Sequence, residues 1–186
     1  FDSGVGGLSV LAHFRKVSFN IFHDKMIELF EKDGQEITPI VEVSIRNMYD
    51  DIMLPIRATK GSAGYDFFTP APLHIFSDHS IIVPTGICCD MDEGYVLSMY
   101  PRSGLGFKYR VTLDNTVGII DSDYSQSDNE GHIILKLHAT TEDGQPVTVS
   151  KGHAFAQGIF TQYFVTYEDR VEETRNGGFG STTPMI

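Results

Sequence analysis

From about residue 37 onward the chain reads as short apolar or alternating runs, each stopped by Gly, Pro, Asp or Asn. The runs are IVEVSIRNM, LHIF, SIIVPTGICC, YVLSMY, HIILKLHATT, PVTVS and AFAQGIFTQYFVTYE. Period-two patterning bounded by turn formers is the mark of strands. Helical stretches do not alternate with these runs, so a doubly wound α/β sheet is disfavoured. The expected fold is all-β: a jelly-roll-like β-sandwich or barrel of roughly ten short strands.

One helix is expected ahead of the strands. Between residues 18 and 34, Phe22, Met26, Leu29 and Phe30 share a face at helical spacing. Ser18 or Asn20 can cap its start and Gly34 its end. The expected layout is an N-terminal extension over 1–40, a β core over 41–170 and a mobile, glycine-rich arm over 171–186. The extension comprises a glycine-rich leader and the amphipathic helix, and offers a surface for a protein partner. The leader, FDSGVGGLSVL, resembles the Asp-Ser loop of glutamate racemases over this fragment alone. A racemase would need two separated cysteines, and the two here, Cys88 and Cys89, are neighbours. In a strand they point to opposite faces, which predicts one core thiol and one semi-exposed thiol.

Charge narrows the partners. The chain of 186 residues carries a net charge of −11. Wrapping nucleic acid needs clustered Lys and Arg, so no nucleic-acid partner is expected. A single nucleotide needs only a local basic spot. No apolar run approaches the ~20 residues of a membrane span. The opening residues do not read as a secretion signal, so a cytoplasmic address is expected.

The stretch PRSGLGFKYRVTLDNTVGIIDSDY, 101–124, concentrates the chemistry. Arg102 and Ser103 beside Gly104 form an anion cradle of guanidinium, hydroxyl and backbone N–H. Asn115 and Gly118 precede Asp121, Asp123 and Tyr124. Amide and backbone groups there can read a planar ring while a carboxylate stays close to a reacting centre. A phosphate ester or anhydride is the substrate class that fits both.

These motifs fall into a known order. SAGYDFF (62–68), PRSGLGFK (101–108), NTVGIIDSDY (115–124), KGHAFAQGIF (151–160) and RNGGFGST (175–182) together resemble the five motifs of the trimeric deoxyuridine triphosphatases. The resemblance implies a jelly-roll subunit in a homotrimer whose active sites are shared between subunits. It implies Mg²⁺-assisted hydrolysis of dUTP to dUMP and pyrophosphate, with Asp121 activating the attacking water. It implies that Asn115 and backbone near Gly118 read uracil and that Tyr124 underlies the deoxyribose. Arg102, Ser103, Gly104 and Gln157 would hold phosphates, and Asp66 would reach the metal through water. Phe179, beside Gly180, would close over the base, while Arg175, Ser181 and Thr182 would reach the phosphates. The third motif would form a hairpin, here lengthened by SQSDNE (125–130) before Gly131. Two other functions belong to related proteins: deamination of dCTP, which needs a glutamate base, and a nucleotide-switched regulatory module.

Overall fold

A computed structural model of the chain describes residues 12–172. Within them the architecture is mostly β. The strands are β1 (Ala12–Lys16), β2 (Ile56–Arg57), β3 (Tyr65–Phe68), β4 (Leu73–Ile75), β5 (Ile81–Pro84) and β6 (Ile87–Met91). They continue with β7 (Tyr95–Pro101), β8 (Thr112–Leu113), β9 (Gly118–Ile120), β10 (Ile134–His138), β11 (Val147–Val149) and β12 (Ala154–Gln162). The helices are α1 (Phe19–Lys32), α2 (Pro39–Asp50) and α3 (Ser103–Tyr109). The largest sheet runs β2-β3-β12-β7-β9, with β5-β10-β8, β1-β6 and β11-β4 completing the sandwich. All the pairings are antiparallel. The jelly-roll-like expectation holds.

Alternation explains the core. Along β12, Phe155 and Ala156 are buried across a register shift, and Leu97 and Met99 of β7 are buried opposite Phe160 and Gly158 of the same strand. Phe67, Ile75, Ile87, Leu135 and Leu137 fill the space between sheets. A buried aliphatic or aromatic side chain of this kind contributes about 1.5–3 kcal/mol through the water it sheds.

The expected helix is α1. Ser18 caps it, its hydroxyl accepting from the Ile21 N–H at 3.4 Å, and Gly34 follows with a φ of 73°. Phe22 is buried, and Met26 and Phe30 pack partly buried beside it.

The run IVEVSIRNM is not a strand. It lies in α2, opened by Thr38 as N-cap and Pro39 in the first turn. Its β-branched residues look alternating, yet the ones that pack are Val41, Ile45, Met48 and Tyr49. That spacing of four, three and one is helical. Propensity favoured a strand, but the cap, the N-terminal proline and a core-facing stripe outweigh it. PRSG likewise opens a short helix, α3, despite two glycines inside it.

Helices and core are fastened through β1. Phe14 on β1 packs against Tyr65, Phe67 and Phe160 with ring centroids 5.4–5.8 Å apart. The Tyr49 hydroxyl donates to the Val17 carbonyl at 2.7 Å, and Lys16 donates to the Tyr49 carbonyl at 3.0 Å. At Gly86 (φ 70°) an added Cβ would sit 2.2 Å from Ile52 and 3.4 Å from Phe22. The β core is therefore shaped to receive these helices. Lys151 and Asp51 form an ion pair between the fourth motif and the end of α2.

Both cysteines are buried on β6, correcting the expectation of one semi-exposed thiol. β1 covers the open edge of β6, and the 3₁₀ turn Ser122–Gln126 packs against it. Burial pushes Cys88 up to about 11 and Cys89 up to about 12, so neither is a thiolate near neutrality.

Candidate active site

The large sheet gathers the first, second and fourth motifs. β12 lies between β3 and β7, and Gln157 is in register with Asp66 on one side and Tyr100 on the other. Arg102 follows the end of β7. Its Nη1 donates to Asp66 Oδ1 at 2.6 Å, and the Asp66 carboxylate is only 9% exposed. A buried carboxylate needs such a partner. Gln157 Nε2 donates to the Pro101 carbonyl at 3.2 Å, fixing the backbone just before Arg102. α3 then starts at Ser103 with no side-chain cap. The leading N–H groups of a helix have no intrahelical acceptors, so those of Ser103 and Gly104 lie where an anion can take them. Asp66, Arg102, Ser103, Gly104 and Gln157 are thus brought together.

The third motif is built differently. The expected hairpin is absent: β8 pairs with β10 and β9 pairs with β7, so the turn between them crosses from one sheet to another. The crossing is tight. Thr116 has a φ of 63°, and the Val117 N–H donates to the Asn115 carbonyl at 2.7 Å. A β-branched residue in the left-handed region is a strained one, held by its surroundings. Asn115, Gly118 and Tyr124 then line one cleft of about 480 Å³, with Ile82, Leu135, Lys136 and Asp114 among its walls. A cavity of that size with apolar walls and a few polar groups suits a small planar ligand.

The added residues after Tyr124 have a structural use. They complete the 3₁₀ turn that begins at Ser122 and form a second turn ending at Gly131. The Tyr124 hydroxyl donates to the His132 carbonyl at 3.0 Å and accepts from Asn129 Nδ2 at 3.0 Å. Gly131 has a φ of 68°, and an added Cβ there would lie 2.6 Å from Ser125 Cα and 2.8 Å from the Tyr124 carbonyl oxygen. Tyr124 is therefore both a buried core tyrosine and a wall of the cleft.

Asp121 leads out of β9 and opens onto a second depression, shared with Glu93, Asp123, Tyr163 and Val165. Its distance from Arg102 follows from register. Leu97 pairs with Ile120, which places Asp121 level with Val96, six residues before Arg102. At ~3.4 Å per residue the two lie about 20 Å apart along β7. One protomer therefore does not bring Asp121 to the anion cradle at Arg102.

Electrostatics at the cleft rim are closed. Asp114 accepts from His138 and Ser80 and pairs with Lys136 at 3.0 Å, and these donors outweigh its partial burial, lowering its carboxyl to about 2. His132 is buried at 1% exposure, its Nε2 accepting the Gly86 N–H at 2.9 Å, and burial lowers it to about 4. It is neutral at pH 7.

For a metal, no cluster of three His, Cys, Asp or Glu side chains occurs among the described residues. A single carboxylate, Asp66, beside an anion cradle is the donor set Mg²⁺ accepts when phosphate oxygens and water complete its octahedron. The residues present fit that ion. Arg175, Phe179, Gly180, Ser181 and Thr182 lie outside the described residues. Lys25 of α1, which also lines the cleft, was not anticipated from the sequence. No motif marks it, because only packing brings α1 there.

The comparisons agree with this layout. The family model described as dUTPase matches residues 50–183. A deoxyuridine 5'-triphosphate nucleotidohydrolase of Lactococcus lactis is 38% identical over 134 residues, covering 70% of this chain and 88% of that protein. A dUTPase structure from Streptococcus mutans superposes with a TM-score of 0.55 at 34% identity, covering 63% of this chain and 90% of that one. A dUTPase of phage 80alpha shares the fold, with a TM-score of 0.54 at 21% identity over 73% of this chain and 95% of its own. The chain therefore belongs to the dUTPase family.

Proposed function

We infer that the protein hydrolyses dUTP to dUMP and pyrophosphate. The observation that carries this is the cleft that Asn115, Gly118 and Tyr124 line together, on the same sheet as the Asp66–Arg102–Gln157 cluster. Uracil presents acceptor, donor and acceptor along one edge. The Asn115 amide and backbone groups near Gly118 match it, and cytosine reverses part of that pattern. A buried hydrogen-bonding site rejects such an analogue by factors on the order of 10⁴, because its polar groups are left unpaired. Tyr124, held from behind by His132 and Asn129, packs under the sugar and leaves no room for a 2′-hydroxyl.

The phosphates take the other half of the site. Arg102 keeps donors beyond the one given to Asp66, since a guanidinium has five N–H groups. The backbone of Ser103 and Gly104 adds two, and Gln157 fixes the strand end that carries them. Asp66 would hold Mg²⁺ through water, and the ion, once bound, offsets charge on the phosphates. Asp121 orients a water toward the α-phosphorus and takes its proton. The bond to the bridging oxygen breaks and pyrophosphate leaves. Positioning and charge neutralisation supply most of such a rate. Arg175, Phe179, Ser181 and Thr182 are assigned to the phosphates and the base.

The ~20 Å between Asp121 and Arg102 supports a site assembled from more than one copy of the chain. A homotrimer, in which one subunit gives the third motif and another the first, second and fourth, satisfies that span. The test is pyrophosphate release from dUTP, dCTP, dTTP and UTP with Mg²⁺. Turnover confined to dUTP is expected. Ammonia release from dCTP, or no release from dUTP by folded protein, would overturn the reading.

A further inference from the structure

The dUTPase family match begins at residue 50, so α1 and nearly all of α2 lie ahead of it. Yet α1 reaches the cleft, and Lys25 is the residue through which it does so. We propose that Lys25 is a further nucleotide-binding residue, whose ammonium donates to an oxygen of the deoxyuridine moiety. This rests on the reading that the cleft takes base and sugar.

Three observations carry it. First, Lys25 is turned inward: its side chain is 22% exposed, against 64% for Lys32 on the same helix. Second, its counter-ion is shared. Glu28 takes Lys25 at 2.7 Å and Lys32 at 2.6 Å. The Glu28–Lys32 pair has the i,i+4 order that best supports a helix. Lys25 can therefore leave Glu28 for a ligand without stranding a carboxylate.

Third, α1 is held at the cleft by the residues added after Tyr124. The Ser18 N–H at the start of α1 donates to Glu130 Oε2 at 2.7 Å, and Arg15 lies 3.7 Å from the same carboxylate. The Phe22 ring packs 6.2 Å from the buried His132 ring. The loop that anchors the Tyr124 hydroxyl thus also anchors α1. Lys25 lines the same cleft as the groups assigned to base and sugar, while the phosphate cradle that completes this site is assigned to another subunit. Its partner is accordingly a uracil carbonyl or a sugar oxygen rather than a phosphate.

Binding of deoxyuridine, dUMP and a non-hydrolysable dUTP analogue to the full chain separates the cases. Lys25→Met and Lys25→Gln should weaken all three about tenfold or more, as loss of a charged hydrogen bond does. Melting temperature should stay within a few degrees. Lys25→Arg should recover part of the affinity, and Glu28→Gln should leave it unchanged or tighten it. Affinity within twofold of wild type in both Lys25 variants would overturn the proposal. So would a loss confined to the triphosphate analogue, which would place Lys25 on the phosphates. Wild-type protein that turns over dUTP while the variants bind normally would sink this assignment alone. Wild-type protein inert toward dUTP would overturn the reading of the cleft with it.

Discussion

The two halves of the site are stabilised in opposite ways. The Asp66–Arg102–Gln157 half is an ion pair and an amide on regular strands, next to the middle of the largest sheet. Its geometry is fixed by β3, β7 and β12, and little outside them is needed. The Asn115–Gly118–Tyr124 half sits at the sheet edge, on a turn with a strained Thr116 and a loop whose Gly131 admits no side chain. Its geometry depends on groups far away in sequence: His132, Asn129 and, through Glu130, the N-terminal helices. Under the proposed function, charge placement would fall to the rigid half and base selection to the braced half. Damage to each should therefore look different.

The largest effect should come from Asp121→Asn. Turnover should fall by about 10³-fold or more while a non-hydrolysable analogue still binds, as for a group needed mainly in the transition state. Near-normal kcat would mean another residue activates the water. Next comes Gly131→Ala. A Cβ against two backbone atoms at positive φ should cost about 2–4 kcal/mol. Because the clash is with Tyr124 and Ser125, KM for dUTP should rise as well. A variant with unchanged urea midpoint and KM would remove the loop from the account.

Acid should discriminate between the halves more gently. His132 is held neutral by burial, with its folded value at about 4 against an ordinary 6.5. The unfolded chain binds the extra proton first, so stability falls as pH drops from about 6.5 to about 4. The loss approaches ~3 kcal/mol. Glu130, lowered chiefly by the Ser18 N–H, adds a loss of the same sign below its ordinary range. His23 works the other way. Its hydrogen bond to Glu42 raises it, so that contribution is full below its ordinary value and fades as pH rises through the raised one. Urea midpoints of wild type and His132→Asn across pH 4–7 check this. The variant should lose most of the slope, and parallel curves would contradict it.

The same contrast governs what could be read from sequence. The strands β5, β6, β7, β10, β11 and β12 were legible as short apolar runs between turn formers, and β10 and β11 also show the period-two burial of a pleated face. Arg102, Ser103 and Gly104 were legible from the loop chemistry of PRSG, and Asp66 and Gln157 only through the ordered motifs of the family resemblance. α2 was not, since Val41, Val43 and Ile45 mimic a strand, although Thr38-Pro39 carried the right start signal. α3 was hidden by its glycines. The burial of both Cys88 and Cys89, the sheet crossing at Thr116 and the reach of Lys25 are products of packing between distant segments. No local pattern encodes them.

The most direct test of a shared site is complementation. Asp121→Asn and Arg102→Ala subunits, each inactive alone, are unfolded together, refolded as a mixture and assayed for pyrophosphate release from dUTP. If Asp121 of one copy serves the Arg102 of another, random assembly leaves about a quarter of the sites intact, and a comparable fraction of wild-type turnover returns. A mixture as inactive as its parents, from subunits shown to co-assemble, would place both residues in one protomer and contradict the account.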